Sequence, residues 1–402
     1  MTQVKTESKF QGGAFVGVIL LLCGITVAAH QFKVPMIMGD IAGDLLMTDG
    51  AAGWLMNMFV LTGIVLALPA GALTQKLGPK NTVFLAALIM AFGSALGALS
   101  PGTELILVSR AIEGTGFIII AVAGPMAVIT HSEPSQIGRG IGIWATWVPI
   151  GQVLAFNLTP IMIGAMSWQV MWYIFAALSF VTAFIVKFAL KTPPAPEAPP
   201  AEGPEEKVSV IEVFKDKNVL FGGISFATFC FMLFAMIIFF VPYALERGIM
   251  TIGEAAFVAS IPMIGSVVGS PLLGLLSEKI GRKKLYILSI LATGVGVILF
   301  YLGLETNVLI YVGAILTGLI GLACPAMILG SMGEITKKPS HVGVATGIVI
   351  AFQNLGFFAA TLLWLTLVFG LGGSMTNFFN ASLLAIPVAL IGAFLASRID
   401  FK

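Results

Sequence analysis

Charge is what this sequence has least of. Asp, Glu, Lys and Arg make up 10% of its 402 residues while 58% are apolar, whereas soluble domains carry about 25% charged residues. A water-soluble globule is therefore excluded. Nineteen acidic against 21 basic residues leave no basic footprint, so no nucleic-acid partner is expected. Cysteine is sparse as well. Cys23, Cys230 and Cys324 each sit inside an apolar run without ligand-type spacing, which argues against a disulfide framework or zinc site. No metal or cofactor is expected. Of the three histidines, His131 and His341 lie at span ends with no nucleophile or ligand partner. No catalytic constellation emerges and the chain is not read as an enzyme. A phosphate-cradling loop is also missing, since no strand and no Lys-Ser/Thr accompany the glycine-rich stretches.

What the sequence has in abundance is long hydrophobic runs. A membrane-crossing helix needs about 20 apolar residues, and twelve segments qualify: 13–38, 50–74, 81–100, 103–130, 138–164, 167–190, 219–245, 252–277, 284–304, 307–334, 341–371 and 375–397. The first has no small-residue cleavage site and reads as a retained helix. Lys and Arg are kept on the cytoplasmic side of short loops. Placing both termini inside puts nearly all of the basic residues there, leaving Lys33 and Arg247 toward the outer side and Arg110 within a span. Residues 191–217 are rich in proline and charge and read as a cytoplasmic linker. The expected fold is an all-α membrane protein with two pseudo-symmetric six-helix bundles, at 1–190 and 218–402. The halves repeat one another. Gly71-Ala-Leu-Thr-Gln75-Lys76-Leu-Gly78-Pro79-Lys80 after span 2 recurs as Gly274-Leu-Leu-Ser-Glu278-Lys279-Ile-Gly281-Arg282-Lys283 after span 8, and the start of span 5 recurs at span 11.

These loops resemble the signature of the major facilitator superfamily, Gly-x-Leu-x-Asp-Arg-x-Gly-Arg-Lys. The resemblance implies that Gly71, Gln75, Lys76 and Gly78, with Gly274, Glu278, Gly281 and Arg282, form cytoplasmic gate motifs. The first copy departs from the signature, with Gln75 and Lys76 for Asp and Arg and with Pro79 for Arg. A neutral amide cannot make a charge-assisted contact, so a weaker latch is expected in the first half. Arg110-Ala-Ile-Glu113-Gly114-Thr-Gly116 resembles the Arg-x-x-Gln-Gly-x-Gly motif of proton-coupled members, with Glu113 for Gln. Span 5 carries Val148-Pro149-Ile-Gly151-Gln152 instead of the drug-antiporter signature.

Ionisable groups inside a span cost about 3 kcal/mol unless a partner or wet cavity receives them, so each is a functional candidate. Arg110 and Glu113 share a helical face, either as a fixed ion pair or as a proton carrier. His30, Gln31 and Lys33 fall at the outer end of span 1, where Lys33 can instead snorkel to the interface. Asn57, Gln152, Gln353 and Asn354 are neutral hydrogen-bonding candidates. Trp147 and Trp144 are cavity-lining or interfacial, and Phe231 belongs to an aromatic wall in span 7. Cations in one half facing aromatics in the other suit a small amphipathic organic anion of monocarboxylate type. The reading is a secondary active transporter of the inner membrane working by alternating access. Proton symport is preferred, with Glu113 or His30 coupling the proton. Anion exchange and carriage of nitrate or cyanate remain open, with multidrug antiport and a non-transporting receptor ranked lower. A monomer embedded in the lipid bilayer is expected.

Overall fold

The computed structural model describes residues 10–191, 209–246, 248–303, 308–370 and 382–401. Within them the backbone is helical almost throughout, because in lipid no water is available to pair N–H and C=O groups and each segment must pair its own. The first bundle holds α1 (Gly13–Phe32), short α2 (Met38–Asp44), α3 (Asp49–Leu77), α4 (Pro79–Ala98), α5 (Thr103–His131), α6 (Ile137–Trp144), α7 (Trp147–Ala165) and α8 (Trp168–Ala189). After short α9 (Val210–Phe214), the second bundle holds α10 (Lys217–Glu246), α11 (Ile252–Ile280), α12 (Arg282–Leu302), α13 (Val308–Leu319), α14 (Cys324–Gly330), α15 (Met332–Ile335), α16 (Val342–Gly370) and α17 (Ala385–Ser397). Eleven spans among the described residues are long and apolar enough to cross a membrane, with α6–α7 and α13–α14 each forming one interrupted span. The expected twelfth span starts outside the described residues, and α17 is its described part. Most of the expected linker, and Arg247, also lie outside them.

Polar residues mark where helices begin and end. The Thr48 and Ser167 hydroxyls cap α3 and α8, and Thr251 with Glu254 forms a reciprocal capping box on α11. Gly78 and Gly281 join α3 to α4 and α11 to α12 at φ +78° and +98°, values that an L side chain resists. The repeated motif glycine is thus a conformational requirement in both copies. Pro149 has no N–H to give and its ring crowds the carbonyl one turn back, so span 5 breaks at Ala145–Thr146.

The buried side chains form two cores. One joins parts of α1, α3, α7 and α8 near Phe32, Leu55, Phe156 and Trp172 to the whole second bundle. The other fills the opposite ends of the first bundle, around Val16, Ala70, Val128 and Trp144, and takes only Ile350 from the second. The bundles therefore share their apolar core toward one membrane face, the far face, and much less of it toward the other, parted face, where Gly347 of α16 still lies against Leu68 of α3. The parted face is also the basic one, carrying Lys76, Lys80, Arg139, Lys187 and Lys215. Two polar pairs cross between the bundles on the far side: Asn157 Nδ2 donates to Ser260 Oγ at 2.8 Å, and the Thr361 hydroxyl donates to Asn57 Oδ1. Between them and the basic face, Asn354 lies in a notch that Gly63 leaves in α3, where a Cβ would come within 2.4 Å of its Oδ1.

Candidate functional site

Small residues shape the centre of the first bundle. A Cβ on Gly114 would come within 2.1 Å of the Phe59 carbonyl oxygen, and one on Gly93 within 2.9 Å of the Glu113 nitrogen. Their absence lets α5 lie directly against α3 and α4. Arg110, one turn before Gly114, then reaches α3, where Nε donates to the Leu55 carbonyl at 2.9 Å and the guanidinium lies over the Phe59 ring at 4.5 Å.

Four ionisable side chains meet here, all fully buried. Glu113 is the hub. Lys33 Nζ donates to its Oε1 at 2.8 Å, His30 Nδ1 lies 2.9 Å from the same oxygen, and Arg110 Nη1 donates to Oε2. Arg110 Nη1 also donates to the His30 carbonyl at 2.9 Å. Serines on neighbouring helices complete the shell. Lys33 Nζ donates to Ser94 Oγ at 3.1 Å, the Ser94 hydroxyl donates to the Trp172 carbonyl at 2.9 Å, and His30 Nε2 lies 2.8 Å from Ser179 Oγ. A neutral His30 with its proton on Nδ1 donates to Glu113 and accepts from Ser179, satisfying both ring nitrogens. Lys33 Nζ sits 3.7 Å above the Trp172 ring centroid, and His30 meets the Phe175 ring edge-on. With Lys33 protonated and the histidine neutral, two cations face one carboxylate, and the cluster then carries an excess positive charge in a place where an uncompensated charge is costly.

The sequence pairs, Arg110 with Glu113 and His30 with Lys33, do come together. Their setting differs from the expected cavity wall, because every partner of the cluster comes from the first bundle. Lys33 does not snorkel to the interface: it follows the last residue of α1 and turns inward onto Glu113 because α4 and α8 supply Ser94 and Trp172. Nor are Trp144 and Trp147 interfacial. Their rings stack at 5.2 Å inside the first bundle, in space left by Gly24 and Gly124, and Trp147 touches Phe117, which in turn meets Phe59. Gln31 is buried on α1 outside the cluster. Asn57 and Asn354 sit at the α3–α16 seam, Gln353 is half-buried beside Asn354, and Phe231 is part of the large core. Gln152 is buried with neither end of its amide paired. Ser94, Ser179, Trp172 and Phe59 belong to the site and were not singled out from sequence. A lone serine in an apolar helix is the only trace the first two leave there.

Of the gate-motif residues, Gln75 and Lys76 are exposed, and the Cβ positions of Gly71 and Gly274 are open. The Glu278 side chain falls outside the described residues. In the second copy Arg282 Nη1 donates to Glu334 at 2.5 Å and to the Gly330 carbonyl at 3.0 Å, tying α12 to α14 and α15. At the matching place the first copy has Pro79, and the next residue, Lys80, donates to the Leu190 carbonyl and finds no carboxylate among the described residues.

A family model described as Major Facilitator Superfamily matches residues 15–252 and 231–400. The chain is 22% identical over 270 residues to a hexuronate transporter of Bacillus subtilis (strain 168), a match covering 66% of this chain and 64% of that one. It is 24% identical over 328 residues to the probable nitrate transporter NarT of Staphylococcus carnosus (strain TM300), covering 80% of each. Among solved structures, a bacterial homologue of the human lysosomal transporter Spinster, captured inward-facing and occupied, superposes with a TM-score of 0.75 at 14% identity, covering 96% of this chain and 97% of that one.

Proposed function

Because the chain belongs to the Major Facilitator Superfamily, whose members are transporters and not enzymes, we propose that it is a proton-coupled carrier of a small anion. In this reading the bundles at 1–190 and 218–402 rock about the α3–α16 seam. The parted basic face is cytoplasmic, both termini lie there, and the inner membrane houses a monomer.

The observation that carries the reading is the composition of the buried cluster. Glu113 holds Arg110 and Lys33 by charge and His30 by a hydrogen bond. When Glu113 accepts a proton, the grip on both cations is released and an anion becomes the partner that restores balance. Proton and anion then favour each other's binding, and linkage makes the effect reciprocal. One proton entering with a singly charged anion moves no net charge. Anionic relatives of two kinds, hexuronate and nitrate carriers, accord with a cationic site. The wider coverage of the nitrate relative keeps an inorganic anion as the second reading.

The test is uptake into proteoliposomes with Glu113→Gln. Wild-type uptake should rise with an inward proton gradient. The variant should lose that response while retaining exchange of substrate for substrate. If Glu113→Gln uptake still follows the proton gradient, the cluster is a structural brace and the coupling reading fails.

A further inference from the structure

Three unpaired atoms narrow the anion reading. Among the described residues, Arg110 Nη2 and both amide atoms of Gln152, Nε2 and Oε1, are buried without a hydrogen-bond partner. Buried polar groups are nearly always paired, so an amide stranded at both ends calls for something that completes it. The two residues adjoin one turn of α1. Arg110 Nη1 donates to the His30 carbonyl at 2.9 Å. Gly151, the neighbour of Gln152, lies so close to that turn that a Cβ would come within 2.5 Å of the Ala28 Cβ and 3.3 Å of the Ala29 nitrogen. Val148, one turn before Gln152 on α7, packs against both cores, which sets Gln152 at the level where the bundles part. On the same face of α7, two turns further toward the far side, the Thr159 hydroxyl is buried and unpaired as well.

We infer that Arg110 and Gln152 are the two poles of a binding site for a hydroxylated carboxylate. The inference rests on the anion reading above and makes it more specific. The ligand's carboxylate takes the free donors of Arg110 and Gln152, and its neighbouring hydroxyl donates to Gln152 Oε1. The count of donors decides the class. Nitrate, cyanate or a plain carboxylate offers acceptors only, so each leaves Oε1 stranded. An amino acid brings an ammonium toward the charge of Arg110, and a neutral polyol leaves that charge unanswered. A hydroxyl beside an anionic group satisfies all three atoms. Sites built to bond a hydroxyl reject the analogue lacking it far more strongly than apolar pockets reject a missing methylene, because the partner is left unpaired.

The test uses the full chain in lipid nanodiscs and paired probes, gluconate against hexanoate and lactate against propionate, with nitrate as a third, binding being read by calorimetry. In the wild type the hydroxylated member of at least one pair should bind at least ~30-fold more tightly than its deoxy partner, with nitrate on the weak side. Gln152→Met, close in shape but without either polar atom, should bring that ratio within about threefold, the deoxy acid weakening only by the loss of the Gln152 donor to its carboxylate and the hydroxylated acid by more. It should fold, since it abandons no partner. Gln152→Leu is the second variant, and retention of the preference by either folded variant overturns the assignment. Equal wild-type affinity for deoxy acids or nitrate also overturns it, leaving the anion reading intact. Failure of every anion to bind the wild type overturns both.

Discussion

Removing opposite members of the buried ion cluster should have unequal consequences. Glu113 answers two cations, so Glu113→Gln leaves Arg110 and Lys33 buried without a countercharge. Breaking a buried pair from one side costs about 3–5 kcal/mol. Lys33→Met takes away the excess charge instead and leaves Arg110 with Glu113 as a balanced pair. The loss comprises the ammonium's contact with the Trp172 ring and its bonds to Ser94 and Glu113, together about 4–6 kcal/mol. Against it stands relief from burying a second cation, several kcal/mol, while the methionine fills the path of the lysine stem. The net change for Lys33→Met should fall within about 1 kcal/mol of zero. With about 2–4 °C of melting temperature per kcal/mol for a bundle of this size, Glu113→Gln should melt roughly 10 °C lower and Lys33→Met within a few degrees of wild type. Thermal unfolding followed by tryptophan fluorescence in one detergent at neutral pH measures both. If Lys33→Met falls as far as Glu113→Gln, the cluster has no excess charge to shed and the electrostatic reasoning is refuted.

Gly114→Ala should destabilise by about 2–3 kcal/mol, since its Cβ would press on the Phe59 backbone oxygen and not on a side chain that can swing away; the same melting assay reads it. Asp40, on α2, has its carboxyl pushed above the ordinary range by partial burial and by Asp44. The ionised form is therefore the disfavoured one, the penalty appears as pH rises through the unfolded and then the folded pKa, and Asp40→Asn should raise melting temperature at pH 7 but not at pH 3. A disulfide between cysteines placed at Asn157 and Ser260 should stop transport while leaving the basic-face entrance open to a thiol reagent. Uninterrupted transport in the cross-linked protein would show that the far-side pairs do not part during the cycle.

Span positions and the repeat were legible because hydropathy, charge and glycine spacing are local properties that lipid enforces. The break in span 5 was not among the expectations, which had one continuous segment at 138–164, although Pro149 carries its cause. The pairing of Arg110 with Glu113 and of His30 with Lys33 also followed from helical spacing alone. What the chain order does not carry is which helix faces meet. The convergence of both pairs on one carboxylate depends on Gly93 and Gly114 bringing three helices close, and Ser94 and Ser179 gain meaning only once α4 and α8 stand beside α1. The burial of Trp144 has the same origin: its ring enters space vacated by Gly24 and Gly124, residues more than a hundred and about twenty positions away in the chain.

The placement of polar groups suggests a division between stored charge and recognition. Ionic groups of the first bundle are held inside it by one another and by serines, so their charge is compensated to within one unit without any group of the second bundle. Groups at the seam are neutral, and a neutral amide or hydroxyl can exchange a protein partner for water or ligand at a cost of about 1 kcal/mol, far below that of baring a buried ion. Asn57, Thr361, Asn157 and Ser260 meet that condition where the bundles touch. Arg110 links the two classes, because its Nε and Nη1 are committed to α1, α3 and Glu113 while Nη2 is unspent. On the proposed reading, neutralising Glu113 changes the charge felt at that free edge without requiring the guanidinium to leave its backbone anchors, and a proton bound in one place would alter anion affinity in another.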